Sequence, residues 1–168
     1  MKRVILAVMF ALATLGIASA QKYCVIDSEK IFKSIDDYNK AMTQLDELGK
    51  AYQSEIDSKY KSIESLYNSY MQQRDGLSAS VRTTIEQQIL GKEQEVQNYQ
   101  QEVLGENGAL MQRRIELIKP IQERVFGAIE AYAKANGFEL VLDKASNASI
   151  LYSGSEIDHT EEIIKTLK

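Results

Sequence analysis

The chain has 168 residues, with 20 Lys and Arg against 24 Asp and Glu, for a net charge of −4. One Cys and one His exclude an internal disulfide framework and a Cys/His zinc site. A single Pro and nine Gly exclude collagen-like and Pro-rich chains, and the acidic balance argues against nucleic acid as a partner.

Met1-Lys2-Arg3, the apolar run Val4 to Ile17 and the small residues Ala18-Ser19-Ala20 have the layout of an export signal, with cleavage expected after Ala20. The apolar run is shorter than the roughly 20 residues of a spanning helix. Gln21-Lys22-Tyr23 before Cys24 are not the small residues a lipid-attachment signal needs. The mature chain then begins at Gln21, loses Lys2 and Arg3, and carries 18 basic against 24 acidic residues, a net −6. The expected location is the periplasm, where a lone Cys24 reads as a buried strand residue.

Tyr23-Cys24-Val25-Ile26 is a strand-like run, and Asp27 is placed to cap a short helix bearing Ile31, Phe32 and Ile35. From about Tyr38 to Arg74 two sets recur every seven residues: Met42, Gly49, Ile56, Ile63, Tyr70 and Leu45, Tyr52, Lys59, Leu66, Gln73. This 3-4 spacing predicts a coiled-coil helix with weak points at Gly49, Lys59 and Gln73. The stretch 74–80 reads as a turn, with Ser78 or Ser80 capping the next helix. That second helix carries the seam Ile89, Val96, Val103, Leu110 and Leu117 and runs on past Pro120 to a stop at Asn136-Gly137. Gly91, Gly105 and Gly108 weaken it, through crowding against the facing helix or as built-in pliability. Two long helices joined by a short turn are antiparallel neighbours. At roughly 55 Å the first is too long for a compact body of this mass, so the hairpin is expected to protrude as an arm.

Phe138–Leu142 and Ala148–Tyr152 then read as strands, and Asp158-His159-Thr160-Glu161 as a capping box opening a final helix. Such a small body has little core, so it is expected to oligomerise. No nucleophile elbow, Walker loop, HExxH or CxxC occurs. The pairs Asp36-Asp37, Asp46-Glu47 and Glu161-Glu162 read as solvated helix faces, and His159 as a capping or surface residue. The expectation is no enzyme activity and no cofactor or metal.

Three segments resemble the Skp/OmpH family of periplasmic chaperones: VIDSEKIFKSI at 25–35, PIQERVFGAIEAYAKANGFELVLDKASNASILY at 120–152 and DHTEEIIKTLK at 158–168. The resemblance implies an α+β fold in which a long antiparallel helical hairpin, the coiled-coil arm (38–119), stands on a small β-sheet body (21–37 and 120–168). It further implies a jellyfish-like homotrimer that holds unfolded outer-membrane proteins between its arms without ATP. In such an assembly Val25, Phe32, Leu140, Leu142, Ile150 and Leu151 would hold the body, and Tyr60, Tyr67, Tyr70, Met71 and Leu77 would touch the client. The Tyr residues also suit a plain widening of the coiled-coil core. Well-known members have strongly basic arms. Here residues 50–114 carry 8 basic and 9 acidic side chains, which argues against lipopolysaccharide or a membrane surface as partner. An exported coiled-coil structural or assembly factor that binds one folded cell-envelope partner is the alternative.

Overall fold

The computed structural model describes residues 22–146 and 149–168, so the export segment and its cleavage site lie outside the described residues. The elements are β1 (Tyr23–Ile26), α1 (Ser28–Lys33), α2 (Asp36–Gln73), a 3-10 turn (Arg74–Gly76), α3 (Ala79–Leu104), α4 (Ala109–Asn136), β2 (Leu140–Asp143) and α5 (Thr160–Thr166). The chain divides into two units. One holds the described residues up to Ile31 together with those from Gly127 to Lys168, and the other is Phe32–Phe126.

In the first unit β1 and β2 pair in parallel, from Tyr23 opposite Leu140 to Ile26 opposite Asp143. The second edge of β1 is taken as well. Val25 donates its N–H to the Ile157 carbonyl at 2.7 Å, and its carbonyl accepts from the His159 N–H at 2.9 Å. A strand enclosed in this way reads as a continuous apolar run, and Cys24, Val25 and Ile26 are buried in succession. Burial also pushes the Cys24 thiol pKa up, away from the reactive thiolate.

The expected strand over 148–152 is a correction. Ala148 lies outside the described residues, and 149–152 form no strand. Leu151 and Tyr152 are 93% and 87% exposed, so this segment buries neither side chain. The strand read over 138–142 forms as β2 and pairs in parallel with β1.

The expected ends of the helices mostly form as read. Asp27 caps α1, its Oδ1 accepting from the Lys30 N–H at 2.9 Å. Gly137 adopts φ 68°, with Phe138 N–H bonded to the Ala133 carbonyl and Gly137 N–H to the Lys134 carbonyl, a Schellman closure of α4. The capping box at 158–161 does not form. The N-cap of α5 is His159, with no side-chain cap bond. Asp158 instead accepts from the Thr160 hydroxyl at 2.6 Å and pairs with Lys144 at 2.5 Å. Asp158 also accepts the Thr160 N–H at 3.1 Å, and the buried Thr160 hydroxyl accepts the Asp27 N–H at 2.9 Å, so these polar groups tie the start of α5 to the sheet. Asp143 plays the same part for β2, accepting from the Ser28 hydroxyl at 2.6 Å and N–H at 3.0 Å, and from Ser146 and Ala145. Burial alone would raise both carboxyls. The hydrogen bonds outweigh it and hold Asp143 and Asp158 below the usual carboxylate value.

The second unit is built on the antiparallel pair α2 and α3. Ser78 is the residue that caps α3, accepting from the Val81 N–H at 3.4 Å. Ile56, Ile63 and Tyr70 of α2 form a buried cluster with Ile89, Val96 and Val103 of α3. A separate cluster joins Ala41 and Leu45 of α2 to Ile118 of α4. The heptad reading needs correction here. Met42 is exposed and Ala41 buried, while Leu117 is half-buried and Ile118 buried. Between the clusters each seam therefore steps one residue further than two heptads, from Ala41 to Ile56 on α2 and from Val103 on α3 to Ile118 on α4.

The expected uninterrupted second helix is also corrected. α3 ends at Leu104 and α4 begins at Ala109, with Gly105 at φ −63°, ψ 171°. Among the described glycines only Gly105 and Gly108 leave no room for a Cβ, which would fall 2.2 Å from the Gln101 carbonyl oxygen and 2.8 Å from that of Glu102. Pro120 sits inside α4, as read, with its ring exposed.

Candidate functional site on the helical hairpin

Lys59 and Tyr70 are seam positions whose side chains must be reconciled with a packed interface. Both are, through polar clasps between α2 and α3. Tyr99 of α3 donates its hydroxyl to Glu55 at 2.5 Å, and Lys59 lies 4.9 Å over the Tyr99 ring and 3.5 Å from Glu55. The bond to Glu55, followed by desolvation, pushes the Tyr99 pKa up to about 12. Nearer the turn, the buried Tyr70 donates its hydroxyl to Glu86 at 2.5 Å. That bond, ahead of desolvation, raises the Tyr70 pKa against the opposing pull of Arg74.

These clasps hold Tyr70 and Tyr99 against the opposite helix. Tyr60, Tyr67 and Met71 are 43%, 49% and 47% exposed. Tyr70 is buried in the seam, and Leu77 is half-buried against the α2–α3 cluster. The five residues singled out as client contacts thus fall into three outward-facing side chains and two that pack inward. Across from Tyr67 and Met71, Leu90 of α3 is 64% exposed, although sequence reasoning passed over it. Its signal was an apolar residue immediately after seam residue Ile89, at a position a solvated coiled-coil face would fill with a polar one. Tyr67, Tyr70, Met71, Ile89 and Leu90 line an open groove of about 550 Å³, with Arg74, Glu86 and Glu93 at its rim. On α4, Met111 and Ile115 are likewise 40% and 47% exposed, beside Arg114 and Lys119.

The residues proposed for the body are distributed as follows. Val25 is buried in β1, Leu142 and Ile150 are half-buried, and Leu140 and Leu151 are largely exposed. Phe32 packs within the hairpin unit, 5.3 Å from the Tyr38 ring and edge-on to Phe126 at 6.4 Å. His159 is half-buried, its Nδ1 2.9 Å from the Tyr132 hydroxyl and its ring 4.8 Å from Phe138. Among the described residues no group of three or more His, Cys, Asp or Glu could hold a metal ion, and no helix is long and apolar enough to cross a membrane.

A family model described as outer membrane protein (OmpH-like) matches residues 22–167. The chain belongs to the OmpH-like family. An uncharacterized protein of Aquifex aeolicus (strain VF5) is 29% identical over 160 residues, covering 94% of each chain. The crystal structure of a candidate outer membrane chaperone (OmpH-like) from Caulobacter crescentus CB15 superposes with a TM-score of 0.68. It covers 86% of this chain and 82% of that one at 11% identity, a likeness of fold. OmpH-like membership bears out the family resemblance over residues 22–167, and the superposition bears out the fold.

Proposed function

We propose that this OmpH-like chain is an ATP-independent periplasmic holdase that keeps unfolded outer-membrane proteins from aggregating. The observation that carries the reading is the apolar groove of Tyr67, Met71 and Leu90, left open on a hairpin whose own seam is already filled. Tyr is amphipathic and Met flexible, so the groove suits many apolar segments and no single shape. Many shallow contacts within one assembly would raise the effective concentration of the client without a deep pocket. The direct test is light scattering from a denatured β-barrel protein diluted with the mature chain and no nucleotide. Suppression is expected at a few-fold molar excess of the chaperone, and unchanged aggregation at that excess rejects the function.

In this reading the client is enclosed between the arms of a homotrimer assembled through a body of residues 21–37 and 120–168. Leu140, Leu151 and Tyr152 support it, since side chains 53%, 93% and 87% exposed on one chain are apolar surface that a second copy would bury. The double change Leu151→Ser with Tyr152→Ser is expected to shift the solution mass at micromolar concentration from trimer toward monomer. A monomeric parent protein, or a double variant that stays trimeric, would overturn this assembly.

A further inference from the structure

We infer that the groove near the hairpin turn selects extended client segments whose apolar residues are flanked by Lys or Arg, an inference that rests on the holdase reading above. The groove is lined by five apolar or aromatic side chains and three charged ones of unequal sign. Glu86 and Glu93 stand on the α3 side, and Arg74 is the single cation. Arg74 is already engaged with Tyr70, whose hydroxyl also donates to Glu86. Glu93 has no ion-pair partner among the described residues, so the charge left over at the rim is negative.

The spacing of the floor suits an extended chain. Tyr67 and Met71 are one helical turn apart, about 6 Å along α2. Side chains at i and i+2 of an extended segment are separated by about 6.6 Å and share one face. A segment that alternates apolar and polar residues therefore seats its apolar face on Tyr67, Met71 and Leu90. A cation that follows the apolar face then lies within reach of Glu93. An acidic flank would meet the same carboxylate and be repelled. The second exposed apolar strip, Met111 and Ile115, has the opposite surroundings, since Arg114 and Lys119 lie beside it. The preference for cations is thus a property of this groove and not of every apolar surface on the hairpin.

The test uses two synthetic peptides with the same alternating Tyr and Leu core, one flanked by Lys and one by Glu. Binding to the full mature chain is followed by fluorescence anisotropy. The Lys-flanked peptide is expected to bind about three- to tenfold more tightly at low salt, the range that one or two exposed charge pairs supply. That preference should shrink to near nothing at about 0.5 M salt, where the screening length falls to a few ångströms. Glu93→Lys is expected to remove or reverse the preference, and Leu90→Ala to weaken both peptides together. Equal affinities, a preference for the Glu flank, or a Lys preference untouched by Glu93→Lys would overturn the inference. The same preparations are assayed for suppression of client aggregation. Suppression without charge preference defeats this inference and leaves the holdase reading standing, and charge-selective binding without suppression does the reverse.

Discussion

Ile163→Ala is expected to lower stability by about 2–5 kcal/mol, the range for removing a buried Ile side chain. The reason lies in how α5 is held. Seven residues are too few for a helix to persist on its own, so α5 depends on the burial of Ile163, fully enclosed, and Ile164, 5% exposed. The segment just before α5 supplies the second edge partner of β1, through the Val25 bonds to Ile157 and His159. Loosening α5 therefore also frees an edge of the central strand. Small domains have about 5–15 kcal/mol in all, so the change removes a large share. Urea denaturation followed by far-UV circular dichroism reads the loss, and hydrogen exchange at the Val25 and His159 amides localises it. A loss under about 1 kcal/mol with both amides still protected would show that α5 does not hold this edge.

The same contacts explain which parts of the fold were legible. β1, α1, the two seams around Ile63 and Val96, the Ser78 cap and the Gly137 stop each rest on interactions within a few residues or on a repeat, and both are visible in a linear pattern. The partner of β1 is not. The β1–β2 pair joins residues more than a hundred positions apart, and nothing local in Phe138–Leu142 distinguishes a parallel partner from a hairpin strand. Ile150-Leu151-Tyr152 has the composition of a strand, but a strand also needs a face to bury, and Leu151 and Tyr152 are almost fully exposed. The 158–161 motif has a long-range use that a local pattern does not show: Asp158 accepts the Thr160 N–H, and the Thr160 hydroxyl accepts the Asp27 N–H across the unit. In the hairpin the outward Tyr and Met residues were legible as departures from the seam. That Tyr70 is not among the free ones depended on Glu86, which accepts its hydroxyl, and a carboxylate on a helix face otherwise reads only as solvated charge.

Gly91→Ala and Gly105→Ala, the same chemical change at two positions of the second helical run, are expected to act with opposite sign. Gly91 lies inside α3, and a Cβ there meets nothing within 4 Å. Ala removes the backbone entropy cost of a mid-helix glycine, so Gly91→Ala should stabilise by about 1 kcal/mol. At Gly105 a Cβ would stand 2.2 Å from the Gln101 carbonyl oxygen, a backbone atom that cannot swing aside, and 2.6 Å from Gln101 Nε2. The Gly105 N–H also bonds to that carbonyl at 3.0 Å, so relief requires the end of α3 to move. Overpacking of this kind costs about 1–3 kcal/mol, which exceeds the gain in helix propensity. The two variants should therefore differ by about 2–4 kcal/mol in thermal or urea unfolding. The alternative is that Ala at 105 heals the break into one continuous helix. That would draw Ile118 out of its place against Ala41 and Leu45, because the one-residue step of the seam occurs across this interruption. Stabilisation by Gly105→Ala, with Ile118 still protected from solvent, would show that the break is incidental. Destabilisation would show that α3 and α4 need the interruption for both apolar clusters to form at once.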